Sequence, residues 1–349
     1  MKLNIVLLFG GKGEEHAVSC RSAAAVLSHL NTKKYTVIPI GIDRCGDFFF
    51  YSGDRERIGR ADFRSDDAHL KKTFPIRLGS HSGFLSDGRI LPIDAALPIL
   101  HGRGGEDGEI QGLLAAAGIP FVGCDAVASA VSFDKTYAKA VAQSLGIPTA
   151  RGVALPEDLP LSEAYARVYA TLPADASWFI KPARQGSSFG ASVARDKTEF
   201  AKGYDLARVY GKVLVEEYVE KTAELEVAML EREGKLLFAG PGRIACEAPL
   251  YSYEEKYQNA SVATVDFSDA SVSDRILSYA ARLSEALSLQ GLARLDFFLM
   301  PEGQICFNEV NTLPGFTETS LYPRLWEAQG LSFSALLDIL IGEAIARFS

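Results

Sequence analysis

The most informative stretch of the sequence for chemistry is ICFNEVNTLPGF (305–316), where polar residues follow directly on apolar strand positions. Glu309 and Asn311 are two residues apart, so on a strand their side chains face the same side. The preceding segment, ARLDFFLMPEGQ, predicts a hairpin that turns through residues 301–303 and brings Asp296 beside the partner strand. Two carboxylates and one amide oxygen form a ligand set that suits Mg²⁺. The alternative is an exposed strand face with ordinary polar residues.

A second stretch, KPARQGSSFGAS (181–192), has the composition of a loop that covers phosphate groups. Gly186 and Gly190 let the backbone approach a ligand closely, and Ser187 and Ser188 add hydroxyl donors. The spacing matches neither the Walker P-loop nor the Rossmann fingerprint. A flexible glycine- and serine-rich hairpin without a function has the same composition, so this stretch alone leaves both interpretations open.

Charged residues near this loop in the sequence are candidates for binding a nucleotide. Lys181 ends a predicted strand and Lys135 lies in SFDKTYAK, and each can supply a positive charge for phosphates. The segment VLVEEYVEKTAELEV places Glu216, Glu217 and Glu224 around a strand and a turn. There the backbone could contact adenine and a carboxylate could contact ribose hydroxyls. Single lysines usually face solvent, and an exposed acidic strand edge explains the glutamates equally well.

Two loops near the N-terminus carry polar groups just before predicted helices. LHGRGGEDGEIQG (100–112) combines five glycines with His101, and such a loop is costly in backbone entropy. GGKGEEHAVS places Glu15 where a carboxylate suits the helix dipole. Simple capping, by Asp107 in the first loop, is the alternative for both. A third segment, YSYEEKYQNAS (251–261), is polar and aromatic-rich without periodicity, which predicts a loop able to fold over a site.

The elements that must position these residues alternate between strands and helices, which predicts an α/β or α+β fold. NIVLLFGG, VSCRSAAAVLSHL and YTVIPIGI indicate a strand, a helix and a strand, the opening of a parallel layer with a ligand crevice at the strand ends. We expect residues 52–90 to be irregular and residues 126–144 to form one helix. Further strands are predicted at 94–100, 236–245 and 292–299, and further helices at 109–118, 271–289 and 331–347.

Composition limits the class of protein. The 349 residues are 48% hydrophobic and 23% charged, which allows a buried core and two or three domains, with boundaries predicted near residue 125 and residues 215–220. A net charge of −8 argues against wholesale binding to nucleic acid. Five cysteines at scattered spacings, without a Cys-x-x-Cys pair, indicate a reduced, cytoplasmic protein. No apolar run approaches the roughly 18 residues of a membrane span.

Taken in order, FGGKGEEHAVS, LHGRGGEDGEIQG, KPARQGSSFGAS, YEEKY and RLDFF…FNEVNTLPGFTETSLYP closely resemble the motifs of the D-alanine–D-alanine ligase family. This family is a branch of the ATP-grasp fold, and the resemblance covers essentially the whole chain. It implies three domains: an N-terminal α/β substrate domain (1–125), a central lid domain (126–216) and a C-terminal catalytic domain (217–349).

The same resemblance implies the reaction. ATP would phosphorylate the carboxylate of a first D-alanine to an acyl phosphate, and the amine of a second D-alanine would displace the phosphate. The resulting dipeptide would serve peptidoglycan precursor synthesis. The resemblance also implies ATP and two Mg²⁺ or Mn²⁺ ions as cofactors, a homodimer, and no nucleic-acid or membrane partner. Two lids, at 182–191 and 250–262, would exclude water from the acyl phosphate.

Roles follow for residues at positions that match the family's motifs. Glu15 would hold the ammonium group of the first D-alanine, and Arg294 would stabilise the oxyanion of the tetrahedral intermediate. Tyr257 would hydrogen-bond with Glu15 and Ser187. Gly315 would contribute its backbone at the same oxyanion, and the other implied substrate contacts are His101, Lys256, Ser320 and Leu321. The implied ATP contacts are Lys135, Lys181, Glu216, Glu217, Val219 and Glu224, and the implied metal ligands are Asp296, Glu309 and Asn311.

Some features leave alternatives open. Ala17 stands where the family usually has a second acidic residue, although Glu15 is retained. EEKY and SLYP, which includes Leu321, resemble the D-alanine branch more than the D-lactate branch, but other stretches are also similar to ligases that use D-serine. A non-catalytic ATP-binding relative is a further alternative, against which the presence of Arg294 and the metal ligands argues. A Rossmann oxidoreductase is excluded because no G-x-G-x-x-G follows the first strand.

Overall fold

The computed structural model describes residues 2–173, 175–245 and 263–348. Within these ranges the strands form three sheets. The first sheet contains β1 (Leu3–Gly10), β2 (Tyr35–Ile42), β3 (Phe48–Tyr51), β4 (Leu70–Leu78), β5 (His81–Ser86), β6 (Arg89–Pro92) and β7 (Ala95–Pro98). The second contains β8 (Gly152–Leu155), β9 (Trp178–Pro182), β10 (Ser192–Ala194) and β11 (Val213–Glu217). The third contains β12 (Ala223–Arg232), β13 (Lys235–Ala245), β14 (Ala263–Thr264), β15 (Leu292–Leu299) and β16 (Ile305–Asn311).

Helices cover these sheets, and the predicted α/β (α+β) class is confirmed. The helices of the described residues are α1 (His16–His29), α2 (Arg55–Gly59), α3 (Glu109–Ala116), α4 (Ala126–Phe133), α5 (Lys135–Ser144), α6 (Leu161–Thr171), α7 (Lys197–Arg208), α8 (Ala270–Ala286), α9 (Leu321–Ala328) and α10 (Phe333–Arg347). In this part of the chain no single helix has the length and hydropathy of a membrane span; α9 and α10 reach them only as a pair bent by 104°.

The first sheet has the predicted parallel opening. Its spatial order is β6-β5-β4-β3-β2-β1-β7, and β1 lies between β2 and β7, parallel to both. The inner residues of β1 are fully buried, as its unbroken apolar run predicts. β1 ends at Gly10, and α1 begins a few residues later, directly after Glu15. The carboxyl end of β1 therefore delivers Glu15 to the edge of the sheet, where parallel sheets bind ligands.

The prediction that residues 52–90 are irregular is wrong. They form α2, two short 3₁₀ turns and the strands β4, β5 and β6, which extend the first sheet by antiparallel pairing. β4 and β6 are mostly exposed or half-buried, and the buried positions of β5 include Gly83 and Ser86, so these strands lack the apolar alternation on which strand prediction depends. A turn signal is present: Asp87 and Gly88, both with positive φ, connect β5 to β6 as a two-residue hairpin loop.

The single helix predicted for residues 126–144 is also wrong, because it is divided at Asp134 into α4 and α5. Asp134 has an extended backbone, and its side chain accepts a hydrogen bond from the Thr136 backbone N–H at 3.0 Å, which caps α5. The division starts α5 at Lys135. The helix α9 was not predicted at all.

The hairpin predicted around residues 301–303 is present. β15 and β16 are antiparallel, with Asp296 directly opposite Glu309 and Arg294 opposite Asn311. The order of the third sheet is β14-β13-β12-β15-β16, so β15 also pairs with β12. The second sheet, in the order β10-β9-β11-β8, is antiparallel throughout.

The three sheets pack against different helices. β1 shares one core with α9 and α10, in which Ile5 and Leu336 are members. The third sheet packs on α4, α5 and α8, with Ile276 fully buried. The second sheet has its own core with α6 and α7, which includes Phe200. The domain boundaries predicted near residues 125 and 216 stay a prediction.

Candidate active site

All the predicted site residues that the structure describes line one cavity of about 240 Å³. The cavity lies between β9 and β11 of the second sheet and β12, β15 and β16 of the third, with loops of the first sheet at one end. These residues are Glu15, His101, Lys135, Lys181, Ser187, Glu216, Glu217, Val219, Glu224, Arg294, Asp296, Glu309, Asn311, Gly315, Ser320 and Leu321. Lys256, Tyr257 and the lid predicted at 250–262 lie outside the described residues. The role of each lining residue stays a prediction.

Three carboxylates lie side by side across the third sheet. Glu226 on β12 is opposite Asp296 on β15, and Asp296 is opposite Glu309 on β16. Residues directly opposite on neighbouring strands share a face, with Cβ atoms about 4.5–5.5 Å apart. We call Glu226, Asp296 and Glu309 the carboxylate row. Sequence reasoning missed Glu226, because its place depends on the register between two strands that are far apart in the chain.

Two cations contact the carboxylate row. Arg294 donates from Nε and Nη2 to the two carboxylate oxygens of Asp296, at 2.8 and 2.7 Å. The same Nε lies 3.2 Å from Glu226 Oε2. Lys135 Nζ lies 2.9 Å from Glu309 Oε2. Burial opposes the charge of Arg294, but Asp296 and Glu226 outweigh it and raise the pKa of the guanidinium.

The donor set of the carboxylate row fits a hard divalent cation. Asp296 and Glu309 present carboxylates from adjacent strands, and Asn311 donates its side-chain amide to Asp296 at 3.0 Å. Within residues 2–173, 175–245 and 263–348, no group of three or more His, Cys, Asp or Glu side chains is arranged to hold a metal by itself. A Mg²⁺ ion here would therefore take its remaining ligands from phosphate oxygens and water, as Mg²⁺ usually does.

A second group of charges lies on the second-sheet side of the cavity. Lys139 Nζ lies 2.6 Å from Glu216 Oε1, and Lys181 Nζ lies 2.8 Å from Glu216 Oε2. All three residues are buried. We call Lys139, Lys181 and Glu216 the lysine cluster. Because two ammonium groups share one carboxylate, the cluster carries a surplus positive charge, which suits a phosphate group.

Burial and charge compete within the lysine cluster. Burial opposes ionisation of Glu216, but Lys139 and Lys181 outweigh it and lower the pKa of the carboxyl. For Lys181, burial dominates and lowers the pKa of the ammonium. The contact between Lys139 and Glu216 is close but poorly aligned for a hydrogen bond, so it is an ion pair. Sequence reasoning missed Lys139, although it follows Lys135 by one helical turn and so lies on the same face of α5.

The glycine- and serine-rich stretch forms the loop between β9 and β10, and it contacts the start of α1. Ser187 and Ser188 have φ values of 49° and 59°, which non-glycine residues rarely adopt. Ser187 donates its hydroxyl to the carboxylate of Glu15. A Cβ on Gly186 would lie 2.9 Å from Glu15 Oε2, so a larger residue here would displace the Glu15 carboxylate. The loop therefore reaches across the cavity to the first sheet.

The base of this loop is fixed by a buried carboxylate. Asp134 is fully buried, and its Oδ2 lies 2.8 Å from Arg184 Nε and 2.7 Å from Lys212 Nζ. The backbone N–H of Lys135 donates to the Ala183 carbonyl at 3.0 Å. These contacts fix the base of the loop relative to α5. They also fix the position of Lys135, whose side chain contacts Glu309.

A buried histidine and a buried glutamate lie at the first-sheet end of the cavity. His101 Nδ1 donates to the Leu313 carbonyl at 3.1 Å, which leaves Nε2 to accept from Ser22 Oγ at 3.3 Å. Burial lowers the pKa of His101 to about 4, so the ring is neutral. Burial, followed by the charge of Glu15, raises the pKa of Glu106 to about 8. Glu106 was not among the predicted site residues, although it lies in the glycine-rich loop.

The segment after β16 brings Gly315, Ser320 and Leu321 to the cavity. Leu321 is the first residue of α9, and Ser320 precedes it. The Ser320 hydroxyl accepts from the Thr317 backbone N–H at 3.1 Å. A Cβ on Gly315 would lie 2.8 Å from Ser320 Oγ. The start of α9 thus faces the cavity, and helix N-termini attract carboxylates and phosphates.

The predicted adenine side of the cavity carries two further charged pairs. Glu217, whose side chain is 29% exposed, lies 3.6 Å from Arg151. Lys221 Nζ donates to Glu224 Oε1 at 2.6 Å. Val219 also lines the cavity. No contact in this part of the described residues tests the predicted adenine and ribose roles.

Comparisons with known proteins agree with the resemblance found in the sequence. Residues 4–124 match the family model for the D-ala D-ala ligase N-terminus, and residues 141–342 match the model for the C-terminus. The D-alanine–D-alanine ligase A of Mesorhizobium japonicum is 38% identical over 99% of this chain and 98% of its own. The D-alanine–D-alanine ligase B of Clostridium tetani is 37% identical over 99% of this chain and 94% of its own.

Solved structures are similar over the whole chain. The VanG D-Ala:D-Ser ligase of Enterococcus faecalis has a TM-score of 0.87 at 36% identity, covering 99% of this chain and 100% of that one. The D-alanine–D-alanine ligase of Coxiella burnetii has a TM-score of 0.85 at 30% identity, covering 99% of this chain and 96% of that one. These similarities extend beyond any single motif.

Proposed function

The chain belongs to the D-alanine–D-alanine ligase family, and we propose that the residues lining the cavity carry out that family's reaction. The protein has the three-domain ATP-grasp fold of its structural neighbours. It is an ATP-dependent ligase that joins two D-alanine molecules for peptidoglycan synthesis. The assignments to individual residues below, and the use of a divalent metal, are the proposal.

Phosphoryl transfer requires positioning and neutralisation of charge more than covalent chemistry from the protein. We assign Lys135 and Lys181 to the phosphates of ATP, because both are buried cations at the cavity. Asp296, Glu309 and Asn311 would hold Mg²⁺ or Mn²⁺, with two ions expected, and such ions neutralise charge on the transferring phosphoryl group. Glu216, Glu217, Val219 and Glu224 are assigned to the adenine and ribose.

The first step forms an acyl phosphate. A carboxylate oxygen of the first D-alanine attacks the γ-phosphorus of ATP, the bond to the β-phosphate oxygen breaks, and ADP leaves. Glu15 binds the ammonium group of this D-alanine, and the neutral His101 lies beside it at the first-sheet end of the cavity. The hydroxyl of Ser187 holds Glu15 in place and brings the loop over the reacting groups, which limits hydrolysis by water.

The second step forms the peptide bond. The neutral amine of the second D-alanine attacks the carbonyl carbon of the acyl phosphate. The tetrahedral intermediate collapses with cleavage of the bond between this carbon and the phosphate oxygen, and the leaving phosphate takes up the proton that the nitrogen loses. Arg294 and the backbone of Gly315 donate to the oxyanion, where fixed donors have their largest effect. Ser320 and Leu321 bind the carboxylate of the second D-alanine at the start of α9. Lys256 and Tyr257, in the segment outside the described residues, are assigned to the second lid.

The observation that best supports this proposal is the cavity itself, which has a surplus of positive charge in the lysine cluster and acidic ligands in the carboxylate row. The test is phosphate release. We expect release only when ATP, Mg²⁺ and D-alanine are present together, with L-alanine inactive. Equal release without D-alanine, or with L-alanine in its place, would contradict the proposal.

A second candidate, ligation of D-alanine to D-serine, is favoured by the similarity to the VanG D-Ala:D-Ser ligase of Enterococcus faecalis. Competition between equal concentrations of D-alanine and D-serine, with the dipeptides separated by mass spectrometry, distinguishes the two. We expect D-alanyl-D-alanine as the main product.

The assembly and location of the protein follow from the family resemblance alone. We propose a homodimer that associates through the N-terminal domain and functions in the cytoplasm without nucleic-acid or membrane partners. Sedimentation velocity should give the mass of two chains, each of 37.7 kDa. A single chain at micromolar concentration would contradict the dimer.

A further inference from the structure

Glu226 is the member of the carboxylate row without an assigned role. Its side chain is only 9% exposed, and its Oε2 lies 3.2 Å from Arg294 Nε. It is aligned with Asp296 and Glu309 by strand pairing, so the backbone of the third sheet fixes its position. Arg294 therefore has an acidic neighbour on β12 as well as the one on its own strand.

The contacts of Asp296 raise a conflict with metal binding. In this structure both of its carboxylate oxygens accept from Arg294, at 2.8 and 2.7 Å. Oδ2 already accepts from both Arg294 and Asn311, so a metal bound to this oxygen must weaken or displace one of these hydrogen bonds, and a metal on either oxygen places a divalent charge beside the guanidinium. Arg294 is mostly buried, with 21% of its side chain exposed, and a buried cation that loses its partner is costly. Repulsion from the divalent ion adds to that cost.

We propose that Glu226 is a positioning residue that retains Arg294 when Asp296 turns to the metal. Its carboxylate keeps the guanidinium paired and at the wall of the cavity, with the remaining N–H groups directed at the oxyanion of the second step. The inference rests on the proposed roles of Arg294 and Asp296, and it adds a residue that neither the motifs nor the family resemblance had assigned.

Lys135 supports this role for Glu226, because it shows what happens to a cation whose carboxylate partner binds a metal. Its Nζ pairs with Glu309 at 2.9 Å and also donates to the Gln185 carbonyl at 2.7 Å. When Glu309 turns to a metal, Lys135 can turn to the phosphates, because that is its proposed ligand. In the proposed first step Arg294 is not assigned to a phosphate, so no phosphate would replace Asp296 as its anionic partner. A second carboxylate within reach fills this need, and Glu226 is that carboxylate.

The test is a double-mutant cycle on metal binding that does not depend on turnover. Free Mn²⁺ is measured by electron paramagnetic resonance during titration of the protein with ADP present. In the wild-type background, Glu226→Gln should weaken Mn²⁺ binding about tenfold, because Arg294 then holds Asp296 more tightly. In the Arg294→Met background the same substitution should change the affinity less than about twofold.

Simple loss of a negative charge predicts a different pattern, because it weakens Mn²⁺ binding equally in both backgrounds. A Glu226→Gln effect that differs by less than about threefold between the backgrounds would overturn the proposal. Arg294→Lys is the second background if Arg294→Met does not fold, since lysine keeps the charge but cannot hold both oxygens of Asp296. Glu233→Gln, an exposed change of equal charge after β12, is the matched control and should leave Mn²⁺ binding unchanged.

Kinetics provide an independent readout. Glu226→Gln should lower kcat by roughly 10- to 100-fold with a smaller change in KM for ATP, since Arg294 acts in the transition state. An unchanged kcat would overturn the proposal. Failure of the wild-type protein itself to bind Mn²⁺ with ADP would instead contradict the proposed metal site, so the two failures are distinguishable.

Discussion

The carboxylate row lines the cavity, as do Lys181 and Glu216 of the lysine cluster, but the two groups have opposite charge balances. In the lysine cluster two ammonium groups share one carboxylate, Glu216. In the carboxylate row three carboxylates share Arg294 and Lys135. The first group is short of negative charge and the second is short of positive charge. The difference matches what ATP with a divalent cation brings: anionic phosphates for one group and a metal for the other.

The two groups also differ in burial, which determines how each responds to substitution. Every member of the lysine cluster is nearly inaccessible, so its charges are stabilised by one another rather than by solvent. Glu309, at the end of the carboxylate row, has a side chain that is 19% exposed. We therefore expect substitutions in the lysine cluster to affect stability, and those in the carboxylate row to affect turnover.

The largest effect should come from breaking the carboxylate row. Glu309→Gln removes a proposed metal ligand, and a bound metal contributes several kcal/mol of transition-state stabilisation, so kcat should fall roughly 10³-fold. The measurement is phosphate release over a range of Mg²⁺ concentrations, with folding checked by circular dichroism. Turnover like that of the wild type at saturating Mg²⁺ would refute the assignment of Glu309.

Breaking the lysine cluster should mainly destabilise the fold. Lys139→Met removes one of the two buried ion pairs of Glu216, and because Lys181 still compensates the carboxylate, the loss in the free energy of unfolding should be about 1–3 kcal/mol. Because Lys181 is then held more tightly by Glu216, KM for ATP should rise roughly tenfold. Denaturant unfolding and steady-state kinetics measure the two effects. Lys202→Met, an exposed change on α7, is the matched control and should alter neither.

The glutamate in the glycine-rich loop gives a pH-dependent test. The pKa of Glu106 is about 8 in the folded protein, against an ordinary value of 4.5. Between these values the folded state holds a proton that the unfolded state releases, so this residue makes the protein less stable as pH rises through that window. Glu106→Gln removes this cost, so its gain in unfolding free energy should be larger at about pH 8.5 than at about pH 5.5. A gain independent of pH would contradict the raised pKa.

The smallest effect should come from a charge pair outside both groups. Lys71 Nζ lies 2.8 Å from Asp87 Oδ2, but the side chains are 58% and 67% exposed. Lys71→Gln should change the free energy of unfolding by less than about 0.5 kcal/mol and leave turnover intact. A larger loss would show that charge, rather than burial, controls the response, and it would remove the contrast with Lys139→Met.

The sequence predicted those parts of the site that depend on local geometry. Asp296, Glu309 and Asn311 could be placed together because one short hairpin connects them and side chains alternate along a strand. The loop at 182–191 was recognisable from its glycines and serines. Lys139 and Glu226 were missed for a common reason: each acquires its role through packing between elements that are distant in the chain.

In the fold, too, the elements that depend on local sequence were predicted and those that depend on tertiary contacts were missed. Strands with buried, unbroken apolar runs, such as β1, were predicted correctly, whereas β4 to β6 were missed because they lie at one side of the sheet and lack a regular apolar pattern. The break at Asp134 was missed because a capping aspartate inside a helical pattern is also compatible with a continuous helix. Tertiary contacts of Asp134 with Arg184 and Lys212 favour the break.

The most direct measurement is a crystal structure with ADP and Mn²⁺, in which anomalous scattering locates the metal independently of its ligands. We predict a peak about 2.0–2.3 Å from carboxylate oxygens of both Asp296 and Glu309, with the phosphates of ADP beside Lys135 and Lys181. Arg294 should have left at least one oxygen of Asp296 and remained against Glu226. A metal bound away from the carboxylate row, with the Arg294–Asp296 pair intact, would contradict the account.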